Sequence, residues 1–236
     1  MKVVGLSDLG LKRRKNEDAY LINESWGLYV ICDGMGGHRG GDVASQLAIK
    51  TINDCFEKDL LEKNISLLNH SIQQANNIIW EQGNINPEWH EMGTTVTAAL
   101  INGLKLEIAH VGDSGCYLFR AAEINRINRD HTLAQEMVDQ GIIKTSEKRL
   151  SSYNHILTRA LGVERQVLVD NYELELSEGD LLLLCSDGLS DMLEENEILN
   201  IVAGFEDDLN KTASMLLQQA LERGGFDNIT LILIRI

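Results

Sequence analysis

No stretch of this chain approaches the roughly 20 consecutive apolar residues that a bilayer crossing needs. The polar Ser7-Asp8 and the basic Lys12 to Lys15 stand where a secretory leader would carry its apolar segment. Neither a membrane span nor a leader is expected, and the expected location is the cytoplasm. Proline occurs once, and no proline-, glycine- or serine-rich linker interrupts the 236 residues, so one domain over 1–236 is expected. Cys32, Cys55, Cys116 and Cys185 are scattered without paired spacing. That argues against zinc-ligand pairs and a disulfide frame and leaves reduced, buried thiols. Lysine and arginine total 21 against 36 acidic residues, a net charge of −15. A nucleic-acid binder would need a basic footprint, which is missing. Any phosphorylated ligand must then be attracted locally, by metal ions or by a placed arginine. Internal repeats and low-complexity tracts are also missing.

What is present is an ordinary globular balance, 44% hydrophobic and 24% charged. Strands are expected at Val3 to Leu6, Ala19 to Ile22 and Leu28 to Cys32. Ala44, Leu47, Ala48, Ile52 and Cys55 share one helical face, and Ile65, Leu68, Ile72, Ala75 and Ile79 form a second stripe. Thr95 to Ile101 and Lys105 to Val111 flank Asn102-Gly103, a hairpin signal. Thr132 with Gln135 resembles a capping box opening a helix that stops near Gly141. The stretch from Ile142 to Gly162 is polar and weakly periodic, which predicts a mobile surface excursion. Strands at Val167 to Leu176 and Asp180 to Cys185 follow, joined by Ser177-Glu178-Gly179. A helix built on Ala213, Leu216, Leu217, Ala220 and Leu221 precedes a final apolar strand. Hairpins with helices in pairs predict an α+β fold, two packed antiparallel sheets in a β-sandwich flanked by pairs of helices.

Four of the apolar runs abut an aspartate: Asp33 after Leu28 to Cys32, Asp113 after Ile108 to Val111, Asp187 after Leu181 to Cys185, and Asp227 before Ile229 to Ile236. One such aspartate is ordinarily a turn former. Four whose strands share a sandwich can converge at one edge, where carboxylates repel unless protonated or bridged by cations. With oxygen ligands only, those cations are magnesium, manganese or calcium.

The glycine run from Asp33 to Asp42 fails as a nucleotide loop: Arg39 stands where a dinucleotide fingerprint needs its third glycine, and Asp42 where a phosphate loop needs lysine. The alternating ligand ladder of a calcium loop is missing as well. Instead, Gly10 to Asp18, Asp33-Gly34-Met35-Gly36-Gly37, Gly93-Thr94-Thr95, Val111-Gly112-Asp113-Ser114, Ser186-Asp187-Gly188-Leu189 and Asp227-Asn228-Ile229-Thr230 resemble, in order, the motifs of the metal-dependent serine/threonine protein phosphatases, PPM or type 2C. The resemblance spans nearly the whole chain and is to compact bacterial members. Each motif alone is weak; six in the right order are specific.

The resemblance implies two to three Mn2+ or Mg2+. Asp33 would bridge two of them, with the Gly34 carbonyl on one and Asp187 and Asp227 on the other. Asp18 would act mainly through metal-bound water, Asp113 with Asp187 would hold a third ion, and Arg13 would clamp the substrate phosphate. A planar guanidinium suits two phosphate oxygens. Two divalent ions about 3.5 to 4 Å apart can present a bridging hydroxide for in-line attack on phosphoserine or phosphothreonine. The implied partners are phosphorylated proteins and a cognate kinase, with no demand for more than a monomer. The alternatives are a phosphatase dedicated to one regulatory phosphoprotein, or a non-catalytic pseudophosphatase that binds phosphoproteins.

Taken alone, Arg13 is a solvated member of a basic run, Glu17 equally a structural hydrogen-bonder or a contact of metal-bound water, Asn228 a strand cap or a residue orienting its neighbour, and Gly93-Thr94-Thr95 a support behind the metals. Many eukaryotic members of the family have histidine where Met35 stands, and methionine donates no proton. His38 and His155 are then candidates for leaving-group protonation, His110 reads as core and His131 as local structure. Gly115 replaces a frequent arginine, a change expected to touch a surface salt bridge more than the chemistry. The segment 142–158 corresponds to a flap beside the site, whose Lys144, Lys148, Arg149 and His155 could meet a phosphopeptide.

Overall fold

The computed structural model describes residues 1–36, 40–57, 67–205 and 208–236. Among the described residues eleven strands form two antiparallel sheets. The first has β1 (Lys2–Asp8), β11 (Ile229–Arg235), β10 (Leu181–Cys185), β7 (Gly115–Arg120) and β8 (Glu123–Arg126) in that spatial order. The second has β2 (Asp18–Asn23), β3 (Leu28–Met35), β5 (Val96–Asn102), β6 (Lys105–Val111) and β9 (Asp170–Glu175), with β4 (Gly93–Thr94) beside β3. Helices α1 (Gly41–Glu57) and α2 (Leu67–Ile85) cover the second sheet. Helices α5 (Glu195–Gly204) and α6 (Leu209–Glu222) cover the first, and α3 (Leu133–Asp139) and the short α4 (Asp187–Ser190) lie between strands.

Period-two alternation explains why the central strands read as unbroken apolar runs: both of their faces are buried. Tyr29 and Ile31 point into the sandwich with Leu182, Leu184, Ile232 and Ile234. Leu28, Val30 and Cys32 point the other way, onto Ala44, Ala48, Ile52 and Ile72 of α1 and α2. Leu181, Leu183 and Cys185 do the same against Ile198, Ala213 and Leu216 of α5 and α6. All four cysteines are buried thiols outside any disulfide. Among the described residues no helix is long and apolar enough to cross a membrane.

The predicted fold class is thus the observed one, but several local readings need correction. The β5–β6 hairpin pairs Asn102 with Lys105, so Gly103-Leu104 is the two-residue turn and Gly103 supplies the left-handed φ of 62°. The Ser177-Glu178-Gly179 link does not close a hairpin: β9 pairs with β6 and β10 with β7 and β11, so it carries the chain from one sheet to the other. Thr132 caps α3 by accepting from the Gln135 amide at 3.2 Å, whereas the Gln135 side chain turns to Asp139 instead of closing the box. Gly115 is buried, and a Cβ there would fall 2.5 Å from the Tyr117 ring, so the position offers no surface salt bridge. The 142–158 segment is fastened rather than free. Ala134 N and Leu133 N donate to Tyr153 O and Ile156 O, and Lys148 Nζ reaches Asp130 Oδ2 at 2.5 Å. Ile65 of the second stripe lies outside the described residues.

Candidate active site

Asp33 lies within β3 rather than after it, because pairing with β2 and β4 continues to Met35. In that register Asp18 is its direct cross-strand partner. Two carboxylates placed opposite one another destabilise a ladder unless something intervenes. Asp113 follows β6, Asp187 opens α4, and Asp227 precedes β11. All of these elements end at one edge of the sandwich. There Arg13, Glu17, Asp33, Gly34, Met35, Asp113, His155, Asp187 and Asp227 line an open cleft of about 530 Å³.

Hydrogen bonds to backbone hold the cluster in shape. Thr95 Oγ1 accepts from Asp33 N at 2.9 Å, and Thr94 Oγ1 donates to Asp33 O at 2.9 Å, so the Gly93-Thr94-Thr95 motif grips β3 from behind. Asn228 Oδ1 accepts from Glu17 N at 2.9 Å, while Asn228 Nδ2 donates to Leu9 O and Lys15 O. That one amide therefore ties the loop carrying Arg13 to the start of β11. Two glycines permit the close approach. A Cβ on Gly34 would fall 2.1 Å from Gly41 O, and one on Gly188 would fall 2.0 Å from Asn228 O. His131 accepts from Gly112 N and meets Asp170 through its other nitrogen, securing the turn that presents Asp113.

Burial and mutual repulsion act together on these acids. Burial, joined by the charges of Asp187 and Asp227 against the opposing bonds from Thr230 and Ser186, pushes Asp18 up to about 7. Burial and then Asp18, Asp187, Asp113 and Asp227 raise Asp33 well above the usual carboxylate range, and burial with Asp187 raises Asp113 and Asp227. Among the described residues no donor reaches the buried Asp18 Oδ1 or Asp187 Oδ1. Oxygen atoms buried without donors, in a group of carboxylates that repel one another, fit hard divalent cations.

Arg13 Nη2 lies 2.5 Å from Asp227 Oδ2 with half of its side chain exposed, so the guanidinium sits at the cleft mouth and can be shared with an incoming anion. His155 Nδ1 is 4.0 Å from Asp187 Oδ2 and 3.3 Å from Asp191 Oδ2, and these two carboxylates push the imidazole up to about 9. His110 is core: it bonds Thr97 and Arg129 O, and burial lowers it to about 3. Glu17 contributes its backbone, accepting from Gly34 N and Ser45 Oγ, while its side chain lines the cleft. His38 lies outside the described residues.

The cluster has two members to which the sequence assigned no role. Ser186 Oγ donates to Asp18 Oδ2 at 2.8 Å and accepts from Thr230 N, joining three distant segments. Asp191 follows Asp187 by four residues, one helical turn, and that spacing was the available signal.

Comparison with known proteins identifies the family of the chain. The family model for Protein phosphatase 2C matches residues 12–223. The chain belongs to the protein phosphatase 2C family. It is 34% identical over 235 residues to the serine/threonine phosphatase stp of Listeria monocytogenes, covering 97% of this chain and 93% of that protein. The crystal structure of the serine/threonine phosphatase Stp1 from Staphylococcus aureus superimposes with a TM-score of 0.93 at 33% identity, over 100% of this chain and 94% of that one. The catalytic domain of the serine/threonine protein phosphatase PstP, solved with two manganese ions, gives 0.87 at 34% identity over 98% and 96%. This member of the family therefore keeps the family's antiparallel sandwich, with its acidic cleft at the sandwich edge.

Proposed function

We propose that this chain hydrolyses phosphoserine and phosphothreonine in proteins, acting as a single 1–236 domain and a monomer in the cytoplasm, opposite a serine/threonine kinase. The observation that carries the reading is the facing pair Asp18 and Asp33, ringed by Asp113, Asp187 and Asp227 around one cleft. A phosphate dianion would be repelled by this surface unless cations were bound. Asp33 and the Gly34 carbonyl would hold one Mn2+ or Mg2+, Asp33 with Asp187 and Asp227 a second, Asp113 with Asp187 a third, and Asp18 would act through water. Bound there, such ions supply Lewis-acid activation of water and neutralise phosphoryl oxygens.

The chain's own residues position the substrate. Arg13 exchanges its bond with Asp227 for two phosphate oxygens, to which a planar guanidinium donates in fork geometry. Thr94, Thr95 and Asn228 keep the carboxylates from relaxing apart, the kind of preorganisation from which such sites draw much of their rate. Met35 cannot donate a proton. His155 stands at the rim beside Asp187 and Asp191, where it can attract the phosphate and serve the leaving oxygen.

The test is phosphatase activity toward p-nitrophenyl phosphate and a phosphothreonine peptide, with and without manganese, for wild type and Asp187→Ala. Manganese-dependent turnover by the wild type and none by Asp187→Ala is the expected result. A normal rate for Asp187→Ala would overturn the assignment.

A further inference from the structure

Beside the catalytic cleft lies a second cavity of about 270 Å³, and Met35 and Leu157 line both. The rest of its apolar wall is Ala160, Val163, Val167 and Leu168. Val163 is 50% exposed and Leu168 71%, so two large apolar side chains stand in solvent directly beside the site. The strip joining cleft to cavity is continuous. A Cβ on Gly93 would fall 2.9 Å from Met35 Cε and 3.2 Å from Val163 Cγ2, so only a bare glycine lets these two side chains approach the same spot.

The wall is built, not loose. Leu161 exchanges backbone hydrogen bonds with Thr94, at 2.9 and 3.1 Å, next to the Asp33 grip. Asn76, a fully buried amide on α2, accepts from Gly162 N at 2.9 Å and donates to Glu164 O and Arg165 O. Gln73 Nε2 donates to Val167 O at 2.7 Å. A buried polar side chain committed entirely to one surface loop gives that loop a single shape, and a preorganised wall lowers the ordering cost of binding. The charges nearby select against an acidic occupant. Arg159 is already held by Asp170 at 2.7 Å and by Leu168 O, which among the described residues leaves Glu164 as the uncompensated charge of the lining.

We propose that this cavity is the subsite for an apolar side chain next to the phosphorylated residue of a peptide substrate, and that it sets a sequence preference. The inference rests on the phosphatase reading above. An extended peptide advances about 3.3 Å per residue. With the phosphate at the carboxylate cluster, a residue one or two positions away therefore passes over Met35 and Leu157. Met35 suits this place as an unbranched, polarizable side chain that adapts to varied apolar neighbours.

The test is kcat/KM on a set of phosphothreonine peptides carrying Leu, Ala, Lys or Glu in turn at each of the two positions before and after the phosphothreonine, with p-nitrophenyl phosphate as control. One position should favour Leu over Glu by about tenfold, the scale of discrimination by small apolar pockets. Val163→Glu and Leu168→Glu, both at exposed positions, should reduce that preference to within about twofold, while p-nitrophenyl phosphate turnover and thermal stability stay at the wild-type level. Val163→Ile should keep the preference. Hydrolysis of all peptides without preference, or a preference that survives both Glu variants, would overturn the subsite and leave the phosphatase reading standing. Failure to hydrolyse p-nitrophenyl phosphate as well would instead remove the phosphatase reading.

Discussion

Replacing Asp18 by asparagine should make the metal-free protein more stable while weakening its response to metal. Asp18 is buried, faces Asp33 across the ladder and is pushed up to about 7 from an ordinary 3.8. That difference corresponds to roughly 4 kcal/mol between the two protonation states. The sign follows from proton binding. Native Asp18 holds its proton up to about pH 7, whereas the unfolded chain releases it near pH 4. Stability is therefore full below pH 4 and is lost as pH rises through 7. In chelator at pH 8, Asp18→Asn should gain about 2 to 4 kcal/mol, the upper figure assuming that neighbouring carboxylates do not share the shift. At pH 5 most of the gain should vanish. The amide can still accept from Ser186 Oγ and can donate toward Asp33. Urea denaturation followed by tryptophan fluorescence, with chelator and with manganese, measures the difference. Saturating manganese should narrow or cancel the difference, because cation at 100 times its Kd adds about 2.7 kcal/mol to a protein with an intact site. An Asp18→Asn protein no more stable than wild type in chelator, or equally shifted at pH 5 and pH 8, would refute the reasoning.

Three further outcomes are expected. Arg13→Ala should lower kcat/KM for p-nitrophenyl phosphate about 10- to 100-fold in steady-state assays, the loss of about 1.5 to 3 kcal/mol in charged hydrogen bonds. Gly188→Ala should lower the melting temperature by several degrees in a thermal scan, because its Cβ would meet the Asn228 carbonyl at 2.0 Å and overpacking costs about 1 to 3 kcal/mol. His110, lowered to about 3 by burial first and then by His131 and Arg126, is neutral in the native protein. Its contribution, at most about 5 kcal/mol, is present above pH 6.5 and is lost as pH falls toward 3. His110→Gln should flatten that acid limb of a denaturation series. This limb is common to wild type and Asp18→Asn, so it cancels from their difference.

The flap-like segment shows where a sequence signal stops. Its polar, aperiodic stretch predicts an excursion, and nothing local reveals that Lys148 is held by Asp130, 18 residues earlier, or that Arg149 reaches the carbonyls of Asp191 and Met192. Ser186 is legible as part of a motif, but its bond to Asp18 spans 168 residues. Ser177 to Gly179 has hairpin composition, yet it joins two sheets, because a turn's chemistry does not say which partner the next strand will choose.

The residues alone carried the strand runs, the paired helices, the family motifs and the choice of oxygen ligands, because hydrophobic period and side-chain chemistry are local properties. Folding decided which carboxylates face each other, that Asp33 stays inside its strand, that Gly115 is interior, and that Asp191 joins Asp187 and His155 at the rim. Those outcomes depend on register and on contacts between segments far apart in the chain, where one residue of slip would turn Asp33 away from Asp18 and dissolve the site.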